Sequence, residues 1–129
     1  MPMKVLRVFH RDVVCIEGWE SVREAAKRMH AGGFSCLPVV SADGLLGIIT
    51  ERDVVEAMAG DDHPETATVF DYMTEAPKTV CPDDDCAVAA TEMLSVGCRH
   101  LPVMDHGMLV GIISARDLLP FAATAGVGR

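Results

Sequence analysis

Apolar positions recur along the chain with two different spacings, and the order in which the spacings alternate predicts the elements. From Glu20 to Ala31, Val22, Ala25, Ala26 and Met29 recur at helical spacing, which places them on one face of a helix. Gly32-Gly33 follows, where such a helix should stop. "CLPVV" (36–40) and "LLGIIT" (45–50) are short apolar runs separated by the turn-like "SADG", and that arrangement predicts a β-hairpin. The hairpin runs into a second helix over Glu51–Ala59. Upstream of the first helix, "DVVCI" can supply one more strand. The order is β-α-β-β-α.

The same order then returns. A shift of 64 positions lays Pro38 on Pro102, Gly47 on Gly111 and Asp53 on Asp117, and Ala25, Ala26 and Met29 on Ala89, Ala90 and Met93. "LPV" recurs at 37–39 and 101–103, and Gly33 meets Gly97. In the second copy "KTVC" is the candidate opening strand, Cys86, Ala89, Ala90 and Met93 form the helix face, and "HLPVM", "DHG" and "MLVGIIS" form the hairpin. A last helix starts at Ala115, and Pro120 is expected to end or kink it. A shared offset over so many positions establishes an internal repeat. With two copies it reads as a pair of units, not a solenoid.

The predicted fold class is therefore α+β: two β-α-β-β-α units, at 5–60 and 69–123, with the polar stretch 61–68, "DDHPETAT", as linker. The small alanines suit close helix–sheet packing, and the two units are expected to be related by a pseudo-twofold axis. Trp19, just before the first helix, is expected as a packing lid.

Composition narrows the function classes. Half of the 129 residues are hydrophobic, so a sizeable core is expected; a chain of this length buries about two-thirds of its unfolded surface. The formal net charge of −8 opposes non-specific association with nucleic acid. The longest apolar runs are far too short to span a bilayer, and the stretch at 1–12 lacks a signal-like apolar core. The expectation is a cytoplasmic protein with no membrane and no nucleic-acid partner. Five cysteines form no CxxC pair and five histidines lack paired ligand spacing, so free thiols and no metal are expected. Asp83-Asp84-Asp85 precedes a helix and reads as capping carboxylates. No nucleophile–base–orienter set is visible, so no catalytic residues and no enzyme activity are expected.

The candidate chemistry lies in the duplicated stretch "GIITERDVV" (47–55) and "GIISARDLL" (111–119). Thr50-x-x-Asp53 and Ser114-x-x-Asp117 are helix capping boxes on their face value, with each hydroxyl accepting an amide of the first turn and each carboxylate reaching back. A second use is open to the same groups. Arg52 and Arg116 precede the two aspartates, a helix N-terminus attracts phosphate, and a carboxylate can accept both hydroxyl hydrogens of a ribose.

These residues carry a resemblance. The motif LPV…G-I-I-[TS]-x-R-D, present twice in β-α-β-β-α order, and the stretch "VFDYMT" (69–74) together resemble a pair of CBS domains, named for cystathionine β-synthase, over about residues 5–122. The resemblance implies a regulatory module with two clefts between the units that bind adenosine nucleotides such as AMP, ADP or ATP. It implies that Asp53 and Asp117 contact ribose, that Thr50 and Ser114 contact ribose or phosphate, and that Arg99 and His100, just before Leu101, contact phosphate, with Arg52 and Arg116 assisting. The first copy has Ser35 and Cys36 where the second has Arg99 and His100, so the Asp117 site is expected to be the stronger. No cofactor is required; the adenosine nucleotide is the regulatory ligand. A homodimer and an unidentified regulated protein are the implied partners. The alternatives are a structural or interaction module with empty clefts, and a sensor of another adenosyl ligand such as S-adenosylmethionine or NAD(H).

Overall fold

The computed structural model describes residues 3–122. In chain order it has a 3₁₀ turn at Val5–Arg7, β1 (Ile16–Glu17), α1 (Val22–Gly32), β2 (Cys36–Ser41), β3 (Gly44–Thr50), α2 (Glu51–Gly60) and a 3₁₀ turn at Pro64–Thr66. It continues with α3 (Val69–Tyr72), β4 (Thr74–Glu75), α4 (Cys86–Val96), β5 (His100–Asp105), β6 (Met108–Ser114) and α5 (Ala115–Ala122). One sheet has the order β1-β2-β3-β4 and the other pairs β5 with β6. The architecture is α+β, as the two alternating spacings predict.

Local chemistry explains the boundaries. The hydroxyl of Ser21 accepts the amide of Glu24 at 3.0 Å and starts α1. Gly33 ends the helix in the left-handed region at φ 71°, with its amide on the Met29 carbonyl. Gly97 ends α4 in the same way at φ 69°. A side chain is strained at such a φ, which is why glycine stands there twice. Val22, Ala25 and Met29 are buried on α1, as are Cys86, Ala89, Ala90 and Met93 on α4; Ala26 is only half-buried. Both hairpins carry a register shift at the same place, between Val39 and Val40 and between Val103 and Met104.

The opening strands are shorter than the sequence predicts. "DVVCI" yields the two-residue β1, which pairs in parallel with Val39 and Val40. "KTVC" yields only a parallel bridge between Val80 and Val103. The cause is competition for amides: the amide of Cys81 donates to the Asp84 carboxylate at 2.8 Å and Pro82 has none, so the ladder cannot continue. Pro120 does not end the last helix, which runs on to Ala122 with Leu118 buried in the core. Trp19 is no packing lid, for it is 74% exposed with its indole N–H turned to the Glu17 carboxylate.

The chain folds as two compact units, and their composition is unexpected. One is Val14–Pro77; the other joins the residues up to Val13 with those from Lys78 onward. Each unit thus takes its opening segment from the other sequence copy. Val5 and Val69, 64 apart, are both fully buried, Val5 in a core with Val80, Leu101, Val103 and Ile113, and Val69 in one with Ile16, Leu37, Val39 and Ile49. The backbone bonds repeat as well. The amides of Val5 and Leu6 donate to the carbonyls of Asp84 and Pro82, both at 2.9 Å, as those of Val69 and Phe70 do to Glu20 and Gly18, both at 2.8 Å. His10 pairs with Ile112 just as Thr74 pairs with Ile48.

Candidate ligand-binding site

Each copy delivers its hydroxyl and carboxylate from a strand that turns directly into a helix. At the end of β3 the amide of Thr50 donates to Asp53 Oδ2 at 2.8 Å, and the amide of Asp53 donates to Thr50 Oγ1 at 3.2 Å. At the end of β6 the amide and the hydroxyl of Ser114 both donate to Asp117 Oδ2 at 2.9 Å, and the amide of Asp117 donates to Ser114 Oγ at 3.2 Å. Both are complete capping boxes. The first helical amide of each is tied to the residue just before the hairpin: Glu51 donates to the Ser35 carbonyl at 2.9 Å and Ala115 to the Arg99 carbonyl at 2.7 Å. The amides that the sequence reading offers to phosphate are therefore largely in use within the fold.

The remaining predicted residues gather at the same hairpin ends. His100 lies directly across from Ser114 on β5 and β6, and Cys36 across from Thr50 on β2 and β3. Arg99 precedes β5 and is exposed, His100 is half-buried, and Ser35 in the equivalent place to Arg99 is buried. Arg52 and Arg116 are exposed on the first turns of α2 and α5. The second copy thus brings Arg99, His100, Ser114, Arg116 and Asp117 to one end of one hairpin. The first brings Thr50, Arg52 and Asp53 together, with no cation at the Ser35-Cys36 position.

One group here escapes sequence reasoning. His10 Nε2 lies 2.8 Å from Asp117 Oδ1, and the two side chains are 61% and 15% exposed. Burial raises the Asp117 carboxyl, but the Ser114 amide, the His10 imidazole and the Ser114 hydroxyl outweigh it and hold the group below the usual carboxylate range. The signal was available in principle: at the repeat offset His10 falls on Thr74, the last residue of the "VFDYMT" stretch.

Other expectations bear on the site. Among the described residues no cysteine forms a disulfide, no group of His, Cys, Asp and Glu could hold a metal ion, and no helix is long and apolar enough to cross a membrane. The Cys86 thiol is pushed up by burial and by the nearby Asp85 and Asp117 carboxylates, which disfavours its reactive form.

Comparison with known proteins agrees with this geometry. An uncharacterized 17.7 kDa protein of Acidianus ambivalens is 38% identical over 120 residues, covering 92% of this chain and 72% of that protein. The inosine-5′-monophosphate dehydrogenase of Korarchaeum cryptofilum is 36% identical over 125 residues, but this chain spans only 25% of its length. Among solved structures, the CBS domain pair of protein MJ0100, in complex with 5′-methylthioadenosine and S-adenosyl-L-methionine, superposes with a TM-score of 0.84 at 25% identity, over 96% of this chain and 98% of that one. The CBS domain model itself matches residues 5–60 and again 69–123. With the motif, the duplication and the fold in agreement, the chain belongs to the CBS-domain family as a tandem pair.

Proposed function

We propose that the chain is a regulatory module that binds an adenosyl ligand at its two strand-to-helix turns. Ribose hydroxyls meet Asp53 or Asp117, and the ligand's tail extends toward Thr50 and Arg52 or toward Ser114, Arg116, Arg99 and His100. The observation that carries the reading is the gathering of hydroxyl, guanidinium and carboxylate at one turn of each copy, with Arg52 and Arg116 exposed. A cap alone needs no arginine beside it. The likeness to a CBS pair that holds two adenosyl compounds supports the ligand class.

Phosphate-bearing ligands such as AMP, ADP and ATP favour the Asp117 turn, because Arg99 adds positive charge and His100 a hydrogen-bonding imidazole there, while Ser35 and Cys36 add no charge to the Asp53 turn. A less charged adenosyl compound suits the first copy better. The module acts without a cofactor and without chemistry of its own, as a homodimer that relays occupancy to a regulated protein. Five cysteines that form no disulfide suit a reducing, cytoplasmic setting.

Isothermal titration with AMP, ATP, S-adenosylmethionine, 5′-methylthioadenosine and NADH tests the reading. Binding of at least one compound is expected, lost for phosphate-bearing ligands in Asp117→Ala, with Arg99→Ala weakening ATP more than adenosine. Silence toward the whole series, in a chain that still melts cooperatively, would favour the rival reading, an interaction module whose aspartates only cap.

A further inference from the structure

We infer that His10 is a latch on the Asp117 carboxylate, so that an adenosyl ligand enters the second copy only by displacing the imidazole. The inference rests on the proposed function above. Asp117 has two acceptor oxygens. Oδ2 already receives the Ser114 amide and hydroxyl, and Oδ1 receives His10 Nε2. A ribose diol brings two further donors, and Oδ1 is where they must go. Ligand and imidazole therefore compete for one atom.

The latch can move without unmaking the fold. The His10 backbone is pinned by a reciprocal pair of bonds, its amide to the Ile112 carbonyl at 2.8 Å and the Ile112 amide to its carbonyl at 2.9 Å. The side chain is 61% exposed, so a rotation into water releases Asp117 while the backbone bridge to Ile112 stays in place. The first copy has no such device. Thr74 stands at the equivalent position and is exposed. Asp53 accepts the Thr50 amide through Oδ2, and no described residue bonds its Oδ1. The duplication has thus kept one open carboxylate and one held shut by its own chain.

Titration calorimetry with AMP tests this in an Asp53→Asn background, which leaves the second copy as the reporting site. His10→Ala and His10→Thr should each tighten AMP about two- to fivefold, the range expected when one hydrogen bond no longer competes. His10→Thr mimics the first copy and guards against a loss of strand pairing in the alanine variant. In an Asp117→Asn background, Thr74→His should weaken 5′-methylthioadenosine, the less charged ligand that suits the first copy, by a similar factor. Unchanged affinity in both His10 variants overturns the latch and leaves the ligand reading standing. Weaker binding in both also overturns it and makes His10 a ligand contact. If no variant binds AMP, S-adenosylmethionine or ATP, the ligand reading fails and the latch fails with it.

Discussion

Gly111 owes its identity to His10: a Cβ at residue 111 would fall on the His10 carbonyl and the Phe9 ring. Gly47 has the same relationship to the Thr74 carbonyl and to the Met73 sulfur, 3.0 Å away. In each unit the segment borrowed from the other copy lies so close to the hairpin that no side chain fits beneath it. Gly111→Ala and Gly47→Ala should each lower stability by about 1–3 kcal/mol. Urea unfolding will show the loss, and a midpoint unchanged in both variants would mean that the borrowed segments are not held as described.

The caps make a second prediction. Thr50→Ala and Ser114→Ala each remove the hydroxyl that receives a first-turn amide, and each should cost about 0.5–2 kcal/mol in thermal or urea unfolding. On the proposed function these hydroxyls also meet the ligand, so any change in AMP affinity is to be read against this stability loss, at a temperature where both variants are folded.

The acid limb of the stability curve follows from Asp117. Its folded carboxyl lies below the ordinary value of 3.8. Its contribution is therefore fully present above the unfolded pKa and disappears as pH falls through the folded one. Asp117→Asn should flatten the fall in stability on the acid side of that value while lowering stability at neutral pH. Parallel acid limbs for the two proteins would contradict the assignment.

At the alkaline end the reporter is Tyr72, the sole tyrosine of the chain. Its hydroxyl donates to Asp61 Oδ2 at 2.5 Å, and that bond is the main cause pushing its pKa up to about 12. The bond's stabilising effect is complete below the unfolded value of 10.0 and is lost as pH rises through about 12. The phenolate absorbance should appear late in the wild type, and Asp61→Asn should bring it back toward ordinary tyrosine. A late titration that persists in that variant would assign the shift elsewhere.

Much of this fold is legible in the sequence because local rules decide it. Val22, Ala25 and Met29 keep helical spacing, Gly33 and Gly97 supply the left-handed ends, and the apolar runs around "SADG" and "DHG" can form little but hairpins. The exchange of opening segments is not legible, and the repeat itself is the reason. Val5 and Val69 are chemically alike, so nothing in the pattern says which copy each will join. The two capping boxes were visible from spacing alone. The His10–Asp117 bond was not, because it spans 107 positions and depends on that exchange. Sequence also overstated what helix ends offer a phosphate, since the carbonyls that occupy their first amides come from Ser35 and Arg99, just before β2 and β5.

Segment exchange also bears on the order in which the molecule can be assembled during synthesis. Residues 14–77 form a contiguous unit and can close as soon as they clear the ribosome. Residues 5–10 are made earlier yet have no hairpin to join until Ile112 has emerged. Throughout that interval a short apolar segment waits without its partner. Slowed translation or a stalled chain should expose that stretch to chaperones and proteases far more than it exposes the central half.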